Sequence, residues 1–189
     1  MAAYTVGSLT KYFRARRDGG LVTKIFTLAT TQTVKRGDIL TITSGKAANL
    51  VAAPAAGTYT AMASAAQILG MAAADVTTTS ATANIPVIIA DDGTEFDLRA
   101  YDSSAATLAS ATAADTEPQD YAVGSGYEIG RVTDAGGTSF YVVGNTASQT
   151  GLEPAIYIGK ADKDAADDED YAPVRFRVAQ EQRALGISV

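Results

Sequence analysis

Short segments with the side-chain pattern of β-strands, separated by turn residues, run through most of this chain. Residues 39–43 (ILTIT), 127–132 (YEIGRV) and 174–178 (VRFRV) are examples, and Gly-, Asp- and Ser-rich turns recur between such segments. About eight short strands with turns between them favour a sandwich or a barrel. We therefore expect a mainly β fold: a small β-barrel or a sandwich-like domain with extended N- and C-terminal arms and at most short helices.

Three local elements are specific enough to test. Residues 84–101 contain a buried apolar strand and then an alternating strand, with Tyr101 on its polar face, on either side of Asp91-Asp92-Gly93, which predicts a hairpin. Residues 127–143 predict a second hairpin with its turn at 133–138. The Ala-rich stretch Tyr59–Met71, which has Gly70 near its end, is the best helix candidate in the first half of the chain, with an irregular strand as the alternative.

The 189 residues suit one domain with extensions. We expect a basic arm over residues 1–20, a β-rich domain over 21–178 with an acidic loop at 162–170, and a tail over 179–189. No window has the roughly 20 apolar residues that a membrane span needs. The first residues lack a signal pattern, so we expect the protein to begin at or near Met1 and to be made in the cytoplasm.

Charge is distributed unevenly along the chain. Up to Arg36 there are seven Lys or Arg residues against one Asp, a sum of +6, so the remainder of this −6 chain carries −12. Opposite charges at the two ends suggest contacts between neighbouring copies or with a partner. The alternative is that both are simply solvated charged segments.

The basic arm is the candidate partner-binding segment. Its cations and aromatic rings could contact phosphates and bases, but a remainder at −12 would repel a polyanion. We therefore expect an acidic protein surface as the target and no direct contact with nucleic acid. The candidate residues are Lys11, Tyr12, Phe13, Arg14, Arg16 and Arg17.

The absence of Cys and His excludes several chemistries. Disulfides, thiolate metal sites and Ser-His-Asp or Cys-His machinery cannot be built. Carboxylates remain, so a carboxylate-dependent hydrolase is the least favoured alternative. We expect no enzyme activity, no cofactor and no metal site. The carboxylates such a hydrolase could use are Asp91, Asp92, Glu95 and Asp97.

Two further motifs have simple explanations. The run Asp162–Asp170 has the oxygen ligands that Ca²⁺ prefers, but it lacks the glycine and spacing of a calcium loop, so a solvated acidic loop is favoured. Arg36-Gly37-Asp38 spells a cell-adhesion tripeptide, but Gly-Asp is also an ordinary turn before a strand, which we favour.

Three segments resemble the head decoration and capsid cement proteins of tailed bacteriophages. They are Arg36-Gly37-Asp38-Ile39-Leu40, then Ile68-Leu69-Gly70-Met71-Ala72, then Ile85-Pro86-Val87-Ile88-Ile89. The resemblance covers about residues 35–99 and is diffuse, and it leaves the basic arm outside.

This resemblance implies a small β-barrel or β-tulip-like domain that serves as a structural virion protein on the outer surface of a phage head. Its partner would be the major capsid protein, and its oligomer a homo-oligomer, with a trimer favoured. Its task would be to stabilise the head against the internal pressure of packed DNA. The alternative is another virion or surface adhesion module, such as a head fibre base or a tail component.

Overall fold

Fourteen short β-strands build the described part of the chain. A computed structural model describes residues 13–63, 66–79, 83–111, 116–147, 154–161 and 171–185. Two single-turn 3-10 helices, Pro118–Asp120 and Gln180–Gln182, also lie in these ranges. The predicted mainly β fold is therefore confirmed. The strands are β1 Phe13–Arg16, β2 Thr23–Thr27, β3 Gln32–Val34, β4 Ile39–Thr43, β5 Lys46–Asn49, β6 Thr58–Ala61, β7 Gly70–Ala72, β8 Val76–Thr78, β9 Asn84–Ile89, β10 Glu95–Tyr101, β11 Gly126–Thr133, β12 Ser139–Ala147, β13 Ala155–Lys160 and β14 Pro173–Val178.

Five strands of the C-terminal half pair in a closed ring, which we call the C-terminal barrel. The ring runs β10-β12-β11-β13-β14 and returns to β10, and only the β10–β12 pair is parallel. Two strands attach to it from earlier in the chain, β1 on β10 and β6 on β11. Ring closure removes most free edges from this half.

The N-terminal sheet has the strand order β2-β9-β7-β4-β5. A parallel bridge between Leu28 and Ala47 links its first and last strands, so this sheet also curls on itself. The β4–β5 turn has positive φ at both Ser44 and Gly45, the backbone that a two-residue hairpin turn requires. This turn joins β4 to β5, which pair antiparallel, and β3 and β8 form a separate ribbon.

The hydrophobic core explains why these strands are apolar on both faces. In β4, Leu40 packs inside the N-terminal sheet, whereas its neighbour Ile39 packs against the C-terminal barrel. The same division separates Ala72 from Met71 in β7. A strand buried on both faces reads as a nearly continuous apolar run, as residues 39–43 do.

The helix predicted for Tyr59–Met71 is wrong. Its first residues belong to β6, which pairs with β11, and its last residues belong to β7, which lies between β4 and β9. Alanine favours a helix by only a few tenths of a kcal/mol per residue over most residues, so tertiary pairing overrides it.

The hairpin predicted for residues 84–101 is also wrong. Both strands exist, but β9 lies in the N-terminal sheet and β10 in the C-terminal barrel. The turn at Asp91-Asp92-Gly93 therefore passes from one sheet to the other. The second hairpin is confirmed, because β11 and β12 pair antiparallel over residues 127–147.

A buried ion pair joins the two halves. Asp38, at the entry of β4, lies 3.4 Å from Arg131 of β11, and both side chains are almost fully buried. Arg131 also donates to the carbonyl of Val51 and stacks on the Tyr141 ring. The Tyr141 hydroxyl donates to the same carbonyl, so one network fixes the N-terminal sheet on the barrel.

The described part of the tail packs on the body. Gln182 and Arg183 are buried, and Arg183 donates to the carbonyl of Val178. Ala184 donates its backbone N–H to Ile68. The predicted acidic loop 162–170 and residues 186–189 lie outside the described residues.

Candidate functional site

The basic arm predicted from the sequence contains a strand of the body. Phe13, Arg14 and Arg16 lie in β1, which pairs antiparallel with β10, and Arg17 follows directly. Lys11 and Tyr12 lie outside the described residues. Among the strands that the structure describes, β1 pairs with β10 alone, so none of these strands covers its other edge.

The Phe13 ring packs against the Arg36-Gly37-Asp38 tripeptide and so holds β1 in place. Its ring lies where a Cβ of residue 37 would stand, and only glycine leaves that space empty. The guanidinium of Arg36 lies 5.9 Å from the ring centroid, within the range of a cation–π contact. Asp38 has no exposed surface. The tripeptide therefore forms a seat for the arm and is not displayed for adhesion.

Arginines and carboxylates alternate across three neighbouring strands in what we call the arginine ladder. The register places Arg14 opposite Asp97 and Arg16 opposite Glu95, and β14 places an arginine opposite each acid from the other side. Directly opposed residues of antiparallel strands project from the same face. Each rung is therefore an acid between two arginines. The members are Arg14, Arg16, Glu95, Asp97, Arg175 and Arg177.

Asp97 lies at the centre of the ladder and is fully buried. Its Oδ1 accepts from Nε of Arg175 at 2.9 Å, and its Oδ2 lies 3.3 Å from Nε of Arg16. Both arginines also donate to the carbonyl of Ala161. A buried carboxylate needs such partners, since an uncompensated charge in the interior is costly. Asp97 thus fastens β1 and β14 to β10.

The other candidate catalytic carboxylates are also committed to arginines. Asp91 is 3.2 Å from Arg17 and accepts from the hydroxyl of Thr94 and the N–H of Gly93, which fixes the crossover turn. Asp92 contacts Arg183, and Glu95 accepts from Arg177 at 2.7 Å. These four carboxylates therefore work as structural ion pairs in this arrangement.

A groove of about 370 Å³ opens on the ladder. Four arginines and two carboxylates line it, and each arginine is paired with an acid: Arg16 and Arg175 with Asp97, Arg17 with Asp91, and Arg177 with Glu95. The side chain of Arg177 is about half exposed and that of Arg16 about one third, so both remain accessible. The lining residues are Arg16, Arg17, Asp18, Gly93, Glu95, Arg175 and Arg177.

A second, larger cleft of about 650 Å³ lies between the β3 region and the β11–β12 turn. Its walls are mainly Thr, Gln, Asn and Ala side chains, with Lys35 and Arg131 as the cations. Lys35 pairs with Asp75 at 3.7 Å and Arg131 with Asp38. The cations of the cleft, like those of the ladder groove, are therefore paired with acids.

The residues with large pKa shifts lie in the interior of the protein. Burial raises the pKa of Tyr101 to about 12. Burial is also the main cause that raises the pKa of Tyr59, Tyr121 and Tyr141, and Glu128 adds to the effect at Tyr59. Burial lowers the pKa of Arg183. Neutral buried tyrosines act as core residues with one hydrogen-bonding group each.

From the sequence, only the β1 side of the arginine ladder could be identified. The sequence singled out the arginines of β1, but it gave no sign that Arg175 and Arg177 stand across β10 from them. The alternation in residues 174–178 does predict that these two arginines face outward. Only the pairing of β14 with β10, across about 80 residues of chain, brings the two sets together.

Comparisons with known proteins give no relative. No protein-family model, no curated protein and no solved structure matches the chain. Among the described residues, no group of three or more acidic side chains is arranged to hold a metal ion. The described helices are all too short to cross a membrane.

Proposed function

We propose that this chain is a structural virion protein that decorates the outer surface of a phage head and stabilises it. Its partner in this proposal is the major capsid protein, and its contribution is binding energy rather than catalysis. The observation that carries the proposal is β1, a basic strand that is held on β10 along one edge and, among the described strands, has no neighbour along the other.

An edge strand of this kind suits addition of a strand from a partner. Backbone groups on an open edge can pair with an extended segment, and flanking side chains set which segment fits. Arg14 is exposed in the middle of β1, and Arg36 is exposed beside Phe13. These cations favour an acidic segment, and residues 1–12 continue from the same end of the strand.

The rigid mounting of β1 also supports a mechanical role. Phe13 in its seat and Arg16 on Asp97 fix the strand at both ends. A load applied to the strand would pass into the barrel through β10. A preorganised edge also binds with a smaller entropy cost than a mobile arm.

The segments that resemble decoration proteins come together in space. Ile39–Leu40, Gly70–Ala72 and Ile85–Ile89 lie in β4, β7 and β9, three adjacent strands of the N-terminal sheet. The resemblance therefore falls on one structural unit. The surface is also poor in large apolar side chains: among the described residues, Leu21, Ile25 and Val123 are exposed.

The test is binding to shells assembled from the major capsid protein encoded in the same genome as this chain. We expect the protein to cosediment with expanded shells at a saturating ratio and to raise their disruption temperature. Arg14→Glu should weaken binding at low salt, where exposed charges are least screened. Lys46→Glu, a charge reversal on β5 in the N-terminal sheet, is the matched control and should bind normally.

Two outcomes would overturn the proposal. One is the absence of cosedimentation at low ionic strength with a correctly folded protein. The other is saturating binding that does not change with Arg14→Glu or with removal of residues 1–12, which would place the interface away from β1.

A further inference from the structure

We infer that the outer edge of β1, the edge that faces away from β10, takes an extended segment whose side chains alternate, with acidic residues on one face and β-branched apolar residues on the other. This inference rests on the proposed function, because it names the chemistry of the segment that the major capsid protein would place on this edge. It follows from the different character of the two faces of β1.

The two faces of β1 differ in chemistry. Arg14 and Arg16 lie on the face of the arginine ladder. Phe13 and Ala15 alternate with them along the strand and so lie on the opposite face, where they pack against the hydrophobic core but remain partly exposed. A strand added beside β1 would continue both faces, because directly opposed residues of paired strands project to the same side of the sheet.

On the ladder face, Arg14 is the cation that an added strand would meet. Arg14 is exposed, and it takes part in none of the ion pairs among the described residues. Arg16, in contrast, already lies 3.3 Å from the carboxylate of Asp97. An acidic residue opposite Arg14 would therefore gain a cross-strand ion pair, and this is the position at which the edge selects an acid most strongly.

Arg36 adds positive charge at the same end of the strand. Its guanidinium lies 5.9 Å from the centroid of the Phe13 ring, and it too is exposed and outside the ion pairs of the described residues. The acid beside it is Asp75, which accepts from the backbone N–H of Arg36 and pairs with the amine of Lys35 at 3.7 Å. With that acid matched by Lys35, Arg14 and Arg36 together favour an anionic segment.

On the core face, the exposed parts of Phe13 and Ala15 favour apolar residues. A pair formed by an aromatic and a β-branched side chain across two strands stabilises a sheet, so Val or Ile fits opposite Phe13. The side chain of Ala15 is a single methyl group, which leaves room for a branched side chain opposite it. Covering this apolar surface removes it from water. The segment that fits residues 13–16 is therefore apolar, acidic, apolar and acidic in turn.

A segment with acids at every position fits this edge less well. It would place carboxylates against Phe13 and Ala15, where they would lose water without gaining a partner. An alternating segment avoids this cost and still offers its backbone to the edge for strand addition. Alternation therefore separates specific strand addition from a general attraction between opposite charges.

Peptide binding to the full chain tests the pattern. The probe is a short fluorescein-labelled peptide in which Val and Glu alternate. The matched control peptide has the same residues, with all Val in one block and all Glu in another, so that length, composition and charge are unchanged. Fluorescence anisotropy at low salt should show that the alternating peptide binds roughly tenfold more tightly, because the block peptide loses several cross-strand pairs together.

A charge swap at Arg14 tests the position of the acid. Arg14→Glu should weaken binding of the Val-Glu peptide roughly tenfold and should bind a peptide in which Val and Lys alternate, which the wild-type protein should not bind. Binding of the Lys peptide verifies that the edge of the variant is intact. Lys46→Glu is the control, since Lys46 lies on β5 in the N-terminal sheet, and it should bind the Val-Glu peptide as wild type does.

Three results would overturn the inference. They are no binding of the Val-Glu peptide at any concentration, equal binding of the alternating and block peptides, and an Arg14→Glu variant whose preference between the Glu and Lys peptides does not reverse. Shells that bind the protein while the alternating peptide fails would remove this inference and leave the capsid proposal standing. Peptide binding as expected, with no binding to shells, would do the opposite.

Discussion

Nε of Arg175 lies 2.9 Å from Oδ1 of Asp97, a carboxylate with no exposed surface. The two residues come from neighbouring strands that are 78 positions apart in the chain. Arg16 approaches the same carboxylate from the other side. One buried charge therefore holds three strands together, and it fixes the N-terminal strand on the barrel.

The first prediction concerns this buried charge. Asp97→Asn should lower the free energy of unfolding by about 3 kcal/mol, because Arg16 and Arg175 would keep their charges without the carboxylate between them. Glu95→Gln is the matched control, since Glu95 is partly exposed and its pairs are worth about 1 kcal/mol or less. Urea unfolding measures both. An equal loss of unfolding free energy in Asp97→Asn and Glu95→Gln would show that the burial of Asp97 does not strengthen its ion pairs.

The second prediction concerns the seat of Phe13. An alanine Cβ at residue 37 would lie 2.3 Å from the Phe13 ring, and the backbone there has φ +89°. Gly37→Ala should therefore both strain the turn and release the strand, so that trypsin cleaves after Arg14, Arg16 and Arg17.

Gly45→Ala is the control for the seat, because residue 45 has φ +76° and empty space around the new Cβ. It should cost about 1 kcal/mol from backbone strain alone and leave the strand protected. Equal trypsin sensitivity in the two variants would contradict the role of Phe13.

The third prediction concerns the close approach of two strands. A Cβ at residue 70 would lie 1.9 Å from the carbonyl oxygen of Ile88, which is backbone and cannot rotate away. Gly70→Ala should thus force β7 from β9 and lower the free energy of unfolding by roughly 3 kcal/mol or more. Gly159→Ala has nearly the same φ, +150° against +154°, but nothing within 4 Å. A similar loss in both variants would mean that backbone strain, not contact, decides the effect.

Local patterns predicted strands well and their partners poorly. Alternation in residues 174–178 correctly placed Val174 and Phe176 inward and Arg177 outward. Alternation in 95–101 put Tyr101 on the polar face, yet Tyr101 is buried and stacks on Tyr59 at 4.9 Å. A second layer of structure covers that face, and only the three-dimensional fold determines where such a layer lies.

The hairpin predicted for residues 84–101 was wrong for the same reason. Residues 84–89 and 95–101 are adjacent in the chain and joined by a turn sequence, which normally favours pairing. In β9, Val87 packs inside the N-terminal sheet and Ile88 packs toward the barrel. A strand buried on both faces suits a position between two layers, and Asp91 with Arg17 stabilises the crossover. For the candidate site, the sequence identified the arginines of β1 but not their partners, which come from distant strands.

The fourth prediction is loss of stability in alkali. Burial raises the pKa of Tyr101 to about 12 from an ordinary value of 10.0, and it raises the pKa of Tyr59, Tyr121 and Tyr141 as well. Above pH 10 the unfolded chain loses phenolic protons that the folded chain keeps. The unfolded state then binds fewer protons, so the free energy of unfolding falls as pH rises.

This stabilisation is fully present below pH 10 and is lost as pH rises through the raised pKa values. Each such tyrosine contributes about 1.4 kcal/mol per pH unit in that window, so four together should produce cooperative unfolding. Circular dichroism and tyrosinate absorbance should change together between pH 10 and about 12. Tyr101→Phe removes one titrating group and only a 3.4 Å hydrogen bond to Ala105, so it should make the pH dependence of stability shallower by about 1.4 kcal/mol per pH unit in this window. Tyrosinate absorbance that rises fully near pH 10 while the fold persists would show that these four hydroxyls are open to solvent, which contradicts their burial in the core.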